Sequence, residues 1–403
     1  MINELLFNKI ITAEKINTHS HFKPKSVSEE ISLRFLIERS YLSWHRLPLL
    51  STPEERSFYI LNEGSRSYFI YLMRAIQDIY KINDPLTAEN WELYDSIIRR
   101  EGNVPGMQES ILKKCCRYKT SLLDAYWLPG SDNQKRQLYT PVFRIDPYLF
   151  AYDKNITNHD HHNTWTLHNK VFACLHEYIE FFKDLIRNQI ASGCVALKCA
   201  VAYDRPLIVD NPTFDEASKV FDNKNYTEKD VKAFQDYMIN QACRLAAQLD
   251  VPFQWHTGLG CLKDTRALEL LSLIQRHPAT NFVLFHGSYP WTGDIPALLH
   301  NYRNVYADIC WMPLLSPTKA KSTLHELIEI APADHILWGC DTSTPEESYG
   351  ACIALAEILS EVLHEKIISG YLDFTRSDLL IHQILMGNAL KLYRLSFPPS
   401  AAN

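Results

Sequence analysis

The chain has 403 residues, 46% hydrophobic and 22% charged, with a formal net charge of 41 − 47 = −6. This is globular composition with ample material for a large core, and without a basic run it speaks against nucleic acid or an anionic membrane as partner. No apolar stretch approaches the ~20 residues that span a bilayer, residues 1–11 lack a signal peptide's apolar core, and the ten scattered cysteines read as reduced thiols of a cytoplasmic protein.

The first element in chain order is a strand over residues 15–22, Lys-Ile-Asn-Thr-His-Ser-His-Phe. Side chains two apart on a strand share a face, so His19 and His21 aim at one point, which suits a metal ion. Two surface histidines near a terminus are the plainer reading of that pair alone. Residues 27 to about 120 then read as helical. Apolar spacing marks a helix over 28–39 with Ser28 as its cap, and Thr52-Pro53-Glu54-Glu55 opens another. A third runs over 68–80, and a fourth opens at Thr87-Ala88-Glu89-Asn90 and runs to Arg100. This stretch is too long for an ordinary loop and is expected to be a helical insertion after strand one.

Thereafter β-type runs alternate with helical segments. Strands are expected over 121–126, 140–145, 194–201, 252–256, 281–286, 304–309 and 336–341, which with the first makes eight. Helical patterns cover 168–190, 228–249, 266–276, 320–330 and 346–360. The alternation predicts a parallel sheet, and eight strands predict a closed (β/α)8 TIM barrel, one domain over 1–403 with the insertion packed on it. A doubly wound open sheet is the rival, disfavoured because no glycine-rich phosphate loop follows the first strand.

Barrel chemistry gathers at the C-terminal ends of the strands. There the sequence places His19 and His21, then Arg144 and Asp146, Lys198, His256, His286, Asp308 and Asp341. Singly, each has a structural reading: a hydrogen-bonded core histidine, a snorkelling lysine, an aspartate capping a turn or helix, Arg144 bridged to Asp146. Together they point to a shared cation, because buried ionisable groups cost several kcal/mol unless paired or metal-bound. The dense run His159-Asp160-His161-His162 lies in a polar stretch and reads as an exposed loop.

This order of residues resembles the ligand order of the amidohydrolase superfamily of metal-dependent hydrolases. Longer phrases, among them Asp84-Pro85-Leu86-Thr87, Ala196-Leu197-Lys198, His256-Thr257-Gly258 and His286-Gly287-Ser288-Tyr289-Pro290, are similar to its amidohydrolase 2 branch of uronate-isomerase-like and FluG-like proteins. The resemblance implies metal ligands among His19, His21, Lys198, His256, His286 and Asp341. It implies a divalent ion, Zn²⁺ with Mn²⁺ or Fe²⁺ as alternatives, in a site of one ion or of two bridged by a carboxylated Lys198. Asp341 would move the proton of the attacking water, and His286 would polarise the scissile bond. Arg144 suits a substrate carboxylate, and Tyr289 is expected at the pocket wall.

The leading expectation is a hydrolase acting on an amide, ester or lactone bond of a small carboxylate-bearing molecule. A uronate-type isomerase or a non-oxidative decarboxylase on the same site is the second, and a non-catalytic binding barrel the third. Whether copies of the chain pair through the insertion stays open.

Overall fold

The computed structural model describes residues 2–26, 28–44, 48–222 and 225–397. Eight parallel strands follow one another in space as they do in sequence: β1 (Lys15–Ser20), β2 (Tyr118–Leu123), β3 (Tyr139–Pro141, resumed at Phe143–Arg144), β4 (Leu197–Cys199), β5 (Phe253–Trp255), β6 (Phe282–Phe285), β7 (Val305–Asp308) and β8 (Ile336–Leu337). At Val142 the third strand changes partners. Val142 N–H donates to the Leu123 carbonyl at 3.0 Å, and Phe143 N–H donates to the Ala196 carbonyl at 2.9 Å, which carries the sheet from β2 to β4.

The last strand returns to the first. Thr18 N–H donates to the Trp338 carbonyl (3.4 Å), Asp341 N–H to the His19 carbonyl (2.9 Å) and His21 N–H to the Thr342 carbonyl (2.9 Å). These bonds close the ring of the expected TIM barrel. Gly339 is the residue that permits the closure, since a Cβ there would meet His19 N and Thr18 Oγ1 at 2.7 Å. Inside the ring, Ile16, Leu122, Val142, Ala196, Val283, Phe285 and Leu337 pack with Ala389 and Tyr393 from the C-terminal helical segment.

Between β1 and β2 lies the helical insertion, with helices Leu33–Glu38, Pro53–Glu63, Ser67–Tyr80 and Trp91–Gly102. It has an apolar core of its own, including Leu33, Leu36, Leu72, Ile76, Tyr94 and Ile98. Thr52 caps its helix in a reciprocal capping box with Glu55, as its sequence signature predicts. Two starts fall later than the periodicity suggests. Ser32, not Ser28, caps the first helix, because Ile31 N–H is taken by the Asn103 side chain at 2.9 Å and Ser26 N–H by Glu29. The fourth begins at Trp91, after Thr87 and Asn90 have satisfied each other's backbone N–H groups. Residues 168–190 divide into Thr164–His168 and Leu175–Ala191, and the helix Ile2–Thr12 packs Leu6 and Ile10 into the main core.

Candidate metal centre

Strands β1 to β5 and the end of β8 deliver polar residues to one cavity of about 420 Å³, whereas His286 after β6 and Asp308 at the end of β7 do not line it. From β1, His19 and His21 converge on the carboxylate of Asp341: His19 Nε2 lies 3.3 Å and His21 Nε2 3.2 Å from Asp341 Oδ1. His21 donates from Nδ1 to the Asp124 carbonyl at 2.8 Å, so its neutral ring turns a lone pair toward Asp341. Lone pairs facing a carboxylate repel unless a cation lies among them. Tetrahedral ligation with bonds of about 2.0–2.1 Å places ligand atoms about 3.3 Å apart, and the separations here have that size. Neutral imidazoles and a carboxylate are donors for Zn²⁺, Mn²⁺ or Fe²⁺, so the three residues fit such an ion.

The electrostatics agree. Burial, then the charge of Lys198, push His19 down to about 3, which keeps its ring neutral. Burial opposes protonation of His21 too, but the nearby carboxylates of Asp341 and Asp124 outweigh it and raise its pKa. Asp341 is held well below the usual carboxylate range: against burial stand its close approach to His19 and His21 and, behind them, the influence of His286. Its backbone lies in the left-handed region (φ 54), as does that of His286 (φ 65), a strain of order 1 kcal/mol that re-aims both side chains. Asp341 does not cap the following helix; Thr344 does.

His256 and His286 form a relay beside this group. The Leu259 carbonyl can only accept, so His256 donates to it from Nε2 and is left with a lone pair at Nδ1. His286 Nε2 then donates to that Nδ1 at 2.9 Å, and His286 presents its own Nδ1 lone pair to Cys310 Sγ at 3.3 Å and Asp341 Oδ2 at 3.6 Å. Both nitrogens of His256 are thus engaged away from Asp341 Oδ1. His256 lines the cavity; His286 does not.

Arg144 reaches the cavity wall, but carboxylates surround it. Its guanidinium lies 2.7 Å from Asp146, 2.9 Å from Asp124 and 3.1 Å from Asp160. The ion-pair reading of Arg144 describes this geometry, and little of its charge is left for a substrate. Lys198 differs. It is 1% exposed, lines the same cavity, rests with Nζ 3.8 Å from the Phe285 ring centre, and has no hydrogen-bond partner for Nζ among the described residues. Burial lowers its pKa. Tyr289 lies outside the cavity wall, its N–H donating to the His286 carbonyl.

Sequence reasoning placed residues 159–162 in an exposed loop, and for the first two the structure corrects it. His159 donates from its backbone and from Nδ1 to Asp204 (2.7 and 2.8 Å), and its ring lies 4.8 Å from Tyr203, so His159 and Asp160 fold inward to line the cavity. Asp124 and Tyr126 follow a strand and were within reach of the strand-end argument. Tyr41, Trp44 and Glu347 were not, since tertiary folding alone brings the insertion over the barrel mouth. Tyr41 stacks on Trp311, whose edge meets His286 at 5.4 Å.

The family model described as "Amidohydrolase" matches residues 225–395. Protein fluG of Emericella nidulans is 34% identical over 184 residues, covering 42% of this chain and 21% of that relative, so the chain spans about a fifth of its length. Among solved structures, the glucuronate isomerase of Caulobacter crescentus superposes with TM-score 0.78 at 14% identity, over 100% of this chain and 95% of that one. The uronate isomerase of Thermotoga maritima gives 0.77 at 14%, over 97% of each chain. A structure from Lactobacillus casei ATCC 334 assigned as a metal-dependent hydrolase gives 0.72 at 19%, over 96% of this chain and 97% of that one. At these identities the likeness is one of fold, and it extends through the insertion.

Proposed function

We propose that the chain is a metal-dependent hydrolase of the amidohydrolase family, whose model matches residues 225–395, and that it cleaves an amide, ester or lactone bond in a small carboxylate-bearing molecule. The observation that carries the reading is the convergence of His19, His21 and Asp341 at tetrahedral ligand spacing. A divalent cation held there would supply Lewis acidity and bring the pKa of a water toward neutrality.

The chain's own groups have these parts. His19 and His21 would hold the cation, His21 being oriented by its bond to the Asp124 carbonyl. Asp341 Oδ2, the oxygen turned away from those two rings, takes a proton from the attacking water and returns it to the leaving group. Lys198, a cavity cation without a carboxylate partner among the described residues, receives the substrate's negative group in place of Arg144. His286, outside the cavity wall, does not touch substrate. An aromatic roof from the insertion, Tyr41 and Trp44, excludes water from the bond being broken.

Metal analysis of the purified protein and of a double His19→Ala, His21→Ala variant tests the centre: about one ion per chain should fall to none, and retained metal in the variant would sink the reading. A screen of small carboxylates by product mass tests the reaction. Hydrolysis adds one water, whereas isomerisation leaves the mass unchanged and decarboxylation loses CO₂.

A further inference from the structure

Asp341 has a second oxygen, and a second set of donors faces it. His286 Nδ1, Cys310 Sγ and an Asp341 carboxylate oxygen form a group within metal-binding reach, and all three residues are buried. The relay described above fixes the direction of the first donor. Because the Leu259 carbonyl takes the proton-bearing side of His256, and His256 in turn accepts from His286 Nε2, neutral His286 has only a lone pair at Nδ1. Facing that lone pair are Cys310 Sγ at 3.3 Å, the Cys310 carbonyl at 3.3 Å and Asp341 Oδ2 at 3.6 Å. Apart from the thiol proton, every group there is an acceptor. A thiolate and an imidazole sharing a tetrahedral ion, with bonds of about 2.3 and 2.0 Å, lie about 3.5 Å apart.

We infer that the chain carries a second cation site, made by His286 Nδ1, Cys310 Sγ and Asp341 Oδ2, which takes a thiolate-preferring ion such as Zn²⁺ or Co²⁺ and shares Asp341 with the first. Cys310 was set aside with the other core thiols in the sequence, because a cysteine two residues past a strand-end aspartate has no distinguishing spacing. Binding displaces the Cys310 proton to solvent and leaves a thiolate on the ion. Soft sulfur selects for Zn²⁺ or Co²⁺ over Mg²⁺. Filling the site takes up Asp341 Oδ2, the oxygen that otherwise accepts the water's proton, so the second ion opposes turnover. This inference rests on the proposed metal centre only through the shared Asp341.

The experiment is a Co²⁺ titration of metal-depleted protein, read by metal stoichiometry and by the near-ultraviolet thiolate-to-cobalt charge-transfer band. The expected result is two ions per chain with the band growing in with the second, and one ion without the band in Cys310→Ser. The variant His286→Asn should likewise lose the second ion and keep the first, which covers the case in which Cys310→Ser fails to fold. One ion without a thiolate band in the unmodified protein overturns the second site and leaves the first standing. Two ions without the band, or a band that survives Cys310→Ser, overturn it equally. No bound ion overturns both readings.

Discussion

Arg144 and Lys198 are register neighbours on adjacent strands, yet their surroundings assign them opposite work. Arg144 compensates three carboxylates in a buried network, and removing one partner of such a network costs about 3–5 kcal/mol because charges remain unpaired. Arg144→Met should therefore lower the melting temperature strongly; a variant as stable as the parent that only raises KM would return Arg144 to the substrate. Lys198→Met removes an amine that has no hydrogen-bond partner among the described residues, so stability should change by less than about 1 kcal/mol. Once a substrate is in hand, the loss should appear in KM, roughly tenfold or more, with kcat little altered. Glu347 carries a pH signature. Burial pushes its carboxyl up to about 8, against backbone N–H donors from Tyr41 and Ser343 that favour ionisation. A carboxyl raised in the folded state stabilises fully below its unfolded pKa of 4.5, and that contribution is lost as pH rises through about 8. The melting temperature of the parent should thus fall relative to Glu347→Gln between pH 5 and pH 8.5, and a constant difference would refute the assignment.

At the scale of elements, what the sequence made legible was what local physics determines. Strands β4, β6 and β7 announced themselves by apolar runs ending in a polar residue, and the helix Glu228–Leu249 begins and ends where its Thr227 cap and apolar spacing place it. The Thr52 capping box was readable for the same reason: cap and partner are three residues apart. Distant partners hid the rest. Ile31 looked helical until Asn103, 72 positions on, claimed its N–H. His159 looked solvated until Asp204 drew it over the barrel mouth. The seam between β8 and β1 is such a long-range feature, and Gly339 is its weak point. Gly339→Ala places a methyl against His19 N and Thr18 Oγ1, so the seam must open or the strand must shift. Because Asp341 N–H is bonded to the His19 carbonyl, that shift separates the metal-binding groups. Metal affinity should drop at least tenfold in a protein whose circular dichroism is unchanged; unaltered affinity would show that the closure does not position the site.

For the molecule as a whole, the question is whether barrel and insertion are one cooperative unit. The insertion's private core argues for independence, but its interface with the barrel argues more strongly the other way. Tyr71 and Ala75 belong to the barrel's apolar core although they lie on the insertion helix Ser67–Tyr80. Along the helix Pro345–Ile368, Glu357 pairs with Arg74 and Tyr71, and buried Glu346 accepts from Tyr80 and from Gln108. Splitting the two parts would strand the buried Glu346 carboxylate, with part of its hydrogen bonding lost, and expose apolar surface on both sides, a cost of several kcal/mol that neither part recovers alone. The same helix, capped by Thr344 shortly after Asp341, carries Glu347, which accepts from the backbone of Tyr41 in the insertion, so the roof of the cavity and its floor are tied through one element. Scanning calorimetry should accordingly give a single transition whose calorimetric and van't Hoff enthalpies agree. Loading the metal centre should raise that one transition as a whole, since a ligand bound only by the folded state stabilises everything that unfolds with it. Two transitions, with metal moving only the upper one, would make the insertion a separate domain and the cavity a site between domains.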